Sequence, residues 1–135
     1  KGSAYTASQA LGLIEDTGYT AVGATNTAAN ITAIGGGSPA NGWNEAPVGT
    51  VAARQTPSFG TAGSGSLAAT ATSHSTLATD IIKGAFLMAR SVAGTAPTTT
   101  VGNTSGALYS AGVFSGGDQA VSNGGTLQVT YTASA

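Results

Sequence analysis

Hydrophobic and polar positions alternate most regularly near the end of the chain. In "TLQVTYT", at residues 126–132, Leu127, Val129 and Tyr131 alternate with threonine and glutamine. A period of two is typical of a β-strand with one buried face, so we expect these three side chains to face the core. A one-residue change of register would turn them toward solvent, which means that the pattern also specifies how the strand pairs.

The densest apolar run, "TDIIKGAFLMAR" at residues 79–90, is predicted to be a strand buried on both faces. A helix capped by Thr79 or Asp80 is the alternative, but Gly84 in its middle would cost about 1 kcal/mol relative to alanine. "ALYSAGVF" at residues 107–114 is predicted to be another strand. We expect one shared core formed by the apolar residues of these strands: Ile82, Phe86, Leu108, Phe114, Leu127, Val129 and Tyr131.

Shorter apolar stretches separated by Gly-rich segments set the fold class. Residues 29–34, 48–54 and 66–73 are predicted to be short strands, and residues 115–125 a turn. Several short strands with such turns indicate an all-β fold, either an antiparallel β-sandwich or a small β-barrel, jelly-roll-like in organisation. This domain is expected to span residues 29–135.

The N-terminal segment, residues 1–28, has a weaker pattern. Residues 4–16 are compatible with a short helix or with an extended arm. Because chain termini are poorly ordered unless tied down, we predict an irregular or partly helical arm that neighbouring subunits order. Leu11, Leu13 and Ile14 would anchor it. The alternative is that the segment packs on its own domain as a first strand or helix.

The composition restricts the partners. Only 7% of the residues are charged, against roughly 25% in an average domain. The four basic residues are scattered singly, which argues against a nucleic-acid partner. The same scatter argues against an acidic membrane as a partner, and no apolar run approaches the roughly 18 residues of a membrane span, so no span is predicted. A surface with few charges protects a free monomer poorly from association, so we predict a homo-oligomer, with a trimer or a larger lattice favoured.

Few residues suggest catalysis. His74 is the only histidine, so it cannot form a two-histidine metal site, and we expect it to lie on the surface at a strand end. Glu15 and Asp16 are adjacent and therefore point to different faces. Asp118 is expected to bond the backbone of its own turn. The sequence therefore predicts no cofactor, no metal and no enzymatic activity.

Two further residues have both a binding and a packing interpretation. Trp43, the only tryptophan, would be attractive as an interaction anchor, although burial in the domain is the favoured role. Arg54 is suited to hold a carboxylate, and Glu45 is the nearest in sequence. We expect such a pair to be structural.

Five segments together resemble small structural proteins of tailed bacteriophages. They are "GWNEA" (42–46), "RQTPSF" (54–59), "IIKGAFL" (81–87), "SGALYSAGVF" (105–114) and "AVSNGGTLQVTYTASA" (120–135). The resemblance covers residues 42–135 and is strongest after residue 80. Its motifs are turns and core strands, and it brings no catalytic residues.

This resemblance implies a virion protein that is assembled in the host cytoplasm. The leading expectation is a capsid decoration, or cement, protein that clamps neighbouring capsomers and contacts the major capsid protein. The alternative is a tail, neck or head fibre protein with a role in binding the host surface or a glycan. A cement protein would occur in many copies on the head, whereas a fibre would form trimers with an exposed aromatic site at the tip.

Overall fold

The chain folds almost entirely into β-structure. The computed structural model describes residues 8–23, 26–28, 31–32, 42–47, 49–59 and 66–134, and no α-helix occurs among them. In chain order, the strands of this part are β1 (Ala10–Glu15), β2 (Ile31–Thr32), β3 (Trp43–Asn44), β4 (Ser66–Ala68), β5 (Thr72–Ser75), β6 (Asp80–Ala89), β7 (Ala107–Val113), β8 (Gln119–Val121), β9 (Thr126–Val129) and β10 (Thr132–Ser134).

The long strand β6 is the centre of the main sheet. It pairs antiparallel with β1 on one side and with β7 on the other. Ile82 pairs with both Glu15 of β1 and Gln119 of β8, so β8 continues the same side of β6 as β7. The predictions of strands within residues 79–90 and 107–114 are therefore confirmed. Burial on both faces over the second half of β6 explains why its sequence is continuously apolar.

A β-bulge in β6 changes which residues share a face. Ile14 pairs with Gly84 and Glu15 with Ile82, so Lys83 is an extra residue on β6. Such an insertion shifts the alternation of the strand by one position. Ile82 consequently lies on the same face as Leu87, despite the odd spacing between them.

The main sheet therefore has a separate core on each face. The first core contains Ile82 and Leu87, and Leu127, Val129 and Tyr131 pack there as the alternating pattern predicted. The second core is formed by Ala10, Ile14, Ile31, Trp43, Phe86 and Met88, with Leu108 packed against it. The prediction of one shared core is wrong for Phe86 and Leu108, because β1 and the second half of β6 are buried on both faces and Phe86 and Leu108 lie on the face opposite Tyr131.

Smaller sheets accompany the main sheet. β5 pairs antiparallel with β9, β4 pairs antiparallel with β10, and β2 pairs parallel with β3. The described strands do not form one closed sheet, so the small-barrel alternative is wrong. The last strand is interrupted at Thr130 and Tyr131, where the Tyr131 carbonyl accepts a hydrogen bond of 2.8 Å from the Ala69 amide.

Three local predictions differ from the structure. Residues 66–73 do not form one strand, because β4 ends at Ala68 and β5 begins at Thr72 in a different sheet. Residues 48–54 do not form a strand in their described part, 49–54; the amides of Thr50 and Val51 both donate to the Pro47 carbonyl and close a turn. Residues 115–125 contain the strand β8 in addition to the turns. The predicted strand at 29–34 is described only at β2, and its remaining residues lie outside the described part of the chain.

The prediction of an N-terminal arm is wrong for the residues that were to anchor it. Leu11, Leu13 and Ile14 belong to β1 and are completely buried within their own chain. Leu11 and Leu13 face the first core, whereas Ile14 faces the second. β1 is thus an integral strand of the main sheet, so a domain boundary at residue 28 does not separate it from the rest. Residues 1–7 lie outside the described residues.

Candidate assembly surface

Trp43 is a core residue of the second face. Its side chain is fully buried, and its ring centroid lies 5.9 Å from that of Phe86. The guanidinium carbon of Arg54 lies 5.2 Å from the same Phe86 ring. The favoured packing role of Trp43 is therefore confirmed, and its burial leaves no surface for it to act as an interaction anchor.

Glu45 and Arg54 form a buried, bidentate ion pair. Arg54 donates from Nε to Oε1 and from Nη2 to Oε2 of Glu45, each over 2.6 Å. The Gly102 amide donates a third bond, of 2.8 Å, to Glu45 Oε2. Paired planar groups of this kind combine charge with geometric specificity. The expected structural pair is confirmed, and it joins the two upstream segments of the resemblance.

The same two segments close the outer edge of β1. The Ala46 amide donates to the Leu13 carbonyl over 3.0 Å. Leu11 and Gln55 exchange two backbone hydrogen bonds, of 2.7 and 3.0 Å. The amide and carbonyl of Leu11 and the carbonyl of Leu13, which point away from β6, are therefore paired within the chain. We call this the closed edge of the main sheet.

Lys83, the bulged residue of β6, is held by two carboxylates. Its Nζ lies 2.8 Å from Asp16 Oδ1 and 2.9 Å from Asp118 Oδ2. These hydrogen bonds, to Asp16 first and then to Asp118, raise the pKa of Lys83 to about 12. Asp118 therefore pairs with Lys83 rather than with the backbone of its own turn, which corrects the expectation for this residue.

Two further acidic residues, Glu15 and Asp80, lie near Asp16. The pKa of Glu15 is raised, first by burial and then by the nearby charges of Asp80 and Asp16. Asp80 accepts a hydrogen bond of 3.0 Å from the Thr50 hydroxyl. Within the described residues, no group of three or more potential ligands is arranged to hold a metal ion.

His74 lies inside the protein, and the expectation of a surface histidine is wrong. It is 1% exposed on β5, opposite Leu127 of β9, and neither ring nitrogen has a hydrogen-bond partner. Burial lowers the pKa of His74 to about 4, so the ring is neutral at pH 7. The sequence does not indicate that His74 is buried, because the inward side chains of β5, Thr72 and His74, are both polar.

The outer edge of β7 contrasts with the closed edge of β1. Among the described strands, β7 pairs only with β6 and β8 does not extend along it. Its sequence, "ALYSAGV", contains no charged residue and no proline. Tyr109 and Val113 are 66% and 54% exposed. Proteins commonly protect a free edge with charges or proline, and β7 has neither. We call this the open edge.

Two grooves border the open edge. One, of about 330 Å³, is lined by Val22, Gly23 and Asn26 together with residues 108–111 of β7. The other, of about 450 Å³, is lined by residues 110–115 and by residues 129–132 beside Ala85. Both grooves contain Ser110 and Ala111, so β7 forms their common wall.

Side chains of an added strand alternate between two faces, which matches a groove on each side of β7. Sequence reasoning identified β7 as a strand but did not select Tyr109 or Val113 as interaction residues. The available signal was the absence of charge and proline over residues 107–113.

Comparisons with protein-family models, with curated proteins and with solved structures gave no match. Among the described residues, no helix has the length and apolar character needed to cross a membrane.

Proposed function

We propose that this chain is a structural protein of a tailed-bacteriophage virion, most closely suited to decorating and cementing the capsid. The single observation that carries the proposal is the open edge of β7, an uncharged strand between two grooves. Main-chain hydrogen bonds at such an edge supply affinity for an extended segment, and the flanking grooves select its side chains. The sequence resemblance to phage structural proteins supports the same role.

We infer that the sheets pack as a jelly-roll-like β-sandwich. The two cores on opposite faces of the main sheet support it, because each core needs a covering layer. Within this arrangement, Glu45, Arg54 and Trp43 hold the domain together, and β7 remains accessible to a neighbouring subunit.

The uncharged character of β7 fits a structural role in a crowded assembly. Residues 107–113 carry no charge that would repel another subunit or would have to be desolvated on contact. In the proposed role, the protein acts through permanent contacts with other virion proteins, including the major capsid protein, and catalyses no reaction.

The second candidate is a tail, neck or head fibre protein with a host-surface or glycan-binding role. Tyr109 favours it, because an exposed aromatic ring beside a groove is suited to stack on a sugar. The two candidates differ in where the chain lies on the particle.

Immunogold labelling tests both candidates. Antibodies against the purified chain would be applied to tailed phage particles released from its natural host. Many labels on the head surface would support the decoration role, and labels confined to the tail, neck or fibres would support the second candidate. Particles that remain unlabelled, while the antibody recognises the purified chain on the same grid, would overturn the virion assignment.

A further inference from the structure

We propose that the open edge of β7 binds the β7 strand of a second copy of this chain, in antiparallel register around a two-fold axis at Ala111. This inference deepens the proposed structural role and rests on it. It names the occupant of the edge and the residues that meet there.

The hydrogen-bonding pattern shows which backbone groups of β7 point away from β6. The Phe114 amide donates to the Lys83 carbonyl over 3.0 Å. The β6–β7 ladder is regular from Ser110 to Val113, and Tyr109 before it is an extra residue at a second bulge. Because antiparallel ladders alternate, Ser110 and Gly112 direct their backbone groups toward β6 in this regular part, and Ala111 and Val113 direct theirs toward the open edge.

The other side of the sheet agrees with this assignment. Leu11 and Leu13 use their outward backbone groups for residues 46 and 55, so their neighbours in β1 bond to β6. The groups of Phe86 therefore point to β1, and those of Ala85 and Leu87 point to β7. The pairings on both sides of β6 therefore give the same assignment of which β7 residues direct their backbone groups toward β6 and which direct them outward.

The exposed side chains select the register. Around a two-fold axis at Ala111, the Ala111 residues of the two copies exchange two backbone hydrogen bonds. Counting outward from Ala111 places Tyr109 of each copy, at the bulge of its strand, opposite Val113 of the other. These are the two exposed large apolar residues of the strand, and an aromatic residue facing a β-branched residue is a favourable cross-strand pair.

The centre of the strand allows the close approach that this pairing needs. Ser110, Ala111 and Gly112 are small, and Gly112 has open space at the position where a Cβ would be. The β7 strand of the second copy is itself uncharged, so no charged side chain has to be buried when the two strands pair. Its side chains would alternate into the two grooves that border β7.

Antiparallel self-pairing of one edge is closed by two-fold symmetry. The inferred complex is therefore a dimer, in place of the trimer expected from composition. This difference makes the mass of the complex a direct test.

The test measures the mass of the purified chain by size-exclusion chromatography with light scattering at micromolar concentration. The wild type is expected to be a dimer. Ala111→Pro removes only an outward donor, and proline is tolerated on an edge strand, so this variant should fold and show half the wild-type mass. Val113→Lys should do the same, because it replaces the apolar partner of Tyr109 by a charge.

Val92→Lys is the matched control. Val92 is also exposed but lies in the turn after β6, so the same change of side chain should leave the dimer intact. Circular dichroism verifies that each variant is folded. A wild-type monomer, a trimer that Ala111→Pro does not dissociate, or equal loss of the dimer in the two lysine variants would overturn the inference. None of these outcomes depends on where the chain lies on a virion, so immunogold labelling tests the proposed function separately.

Discussion

The two outer edges of the main sheet are treated in opposite ways. At the closed edge, residues 46 and 55 pair with the backbone of β1, and the Glu45–Arg54 ion pair holds their two segments together. At the open edge, β7 has no such partner in the described part of the chain. Within the described residues, the chain covers the β1 edge with its own loops and does not cover the β7 edge in this way.

The closed edge and the open edge also differ in charge. The closed edge contains a completely buried carboxylate and guanidinium, whereas residues 107–113 of the open edge are uncharged. A buried ion pair is specific because each partner depends on the other. An uncharged edge is suited to a partner that is equally uncharged. The closed edge therefore contributes to stability, and the open edge is the surface that we propose for assembly.

The largest expected effect comes from breaking the ion pair of the closed edge. Arg54→Met leaves the Glu45 carboxylate buried without its counter-ion, which should cost about 3–5 kcal/mol of the free energy of unfolding. Such a loss is a large part of the roughly 5–15 kcal/mol of a typical domain. Urea denaturation measures it.

The double variant Glu45→Gln with Arg54→Met is the control for this prediction. It removes both charges and keeps an acceptor for the Gly102 amide, so it should be more stable than Arg54→Met alone. A single variant that loses less than about 1 kcal/mol would show that the pair does not hold the closed edge.

The next effect concerns the layer beside the open edge. His74 of β5 pairs opposite β9, and Val129 of β9 lines one of the two grooves. The pKa of His74 is about 4 in the folded protein, below its ordinary value of 6.5. As the pH falls below about 6.5, the unfolded chain takes up a proton first, so stability falls until about pH 4. The total loss should be about 3 kcal/mol.

His74→Leu isolates this contribution. Carboxylates also titrate in the same range, so the informative quantity is the difference between wild type and variant in the free energy of unfolding, followed from pH 7 to pH 4. The variant should lack about 3 kcal/mol of the acid sensitivity. Parallel pH profiles of the two proteins would contradict the assignment of a buried, neutral His74.

A pair of glycine substitutions compares the two edge strands directly. A Cβ on Gly12 of β1 would overlap the ring of Phe86, which is itself confined by Trp43 and Arg54. Gly12→Ala should therefore cost about 1–3 kcal/mol. Gly112→Ala, on β7, meets no atom within 4 Å and should be neutral or slightly stabilising. Thermal melts of both variants test this contrast. Equal losses of stability in the two variants would contradict it.

The elements that could be predicted from the sequence are those whose signal is local. β6 and β7 have long apolar runs, and the alternation of Leu127, Val129 and Tyr131 identifies their buried side. The structural role of Glu45 and Arg54 was accessible because so few charged residues offer a partner. For these elements, residue type alone restricts the alternatives.

The rest depends on contacts between distant parts of the chain. β1 is buried on both faces, so "ALGLIE" lacks the alternation that would have marked it as a strand. The bulge at Lys83 separates Phe86 from the first core, and Asp16 and Asp118, which hold Lys83, lie far from it in sequence. The open edge has no positive motif, because it is defined by the pairing that β7 lacks among the described strands.

The smallest effect, and the most detailed, is expected in amide hydrogen exchange along β7, which should differ between neighbouring residues without a change in global stability. Ser110 and Gly112 donate toward β6, so their amides should exchange slowly at every protein concentration, as should Leu11 at the closed edge. The amides of Ala111 and Val113 point to the open edge. They should exchange slowly at high concentration, where a second β7 covers them, and faster on dilution. In Val113→Lys, the Ala111 amide should exchange fast at all concentrations, while Leu11 is unaffected. Slow exchange at Ala111 that does not change with dilution would mean that the chain itself covers this edge, and the distinction between the closed and open edges would be lost.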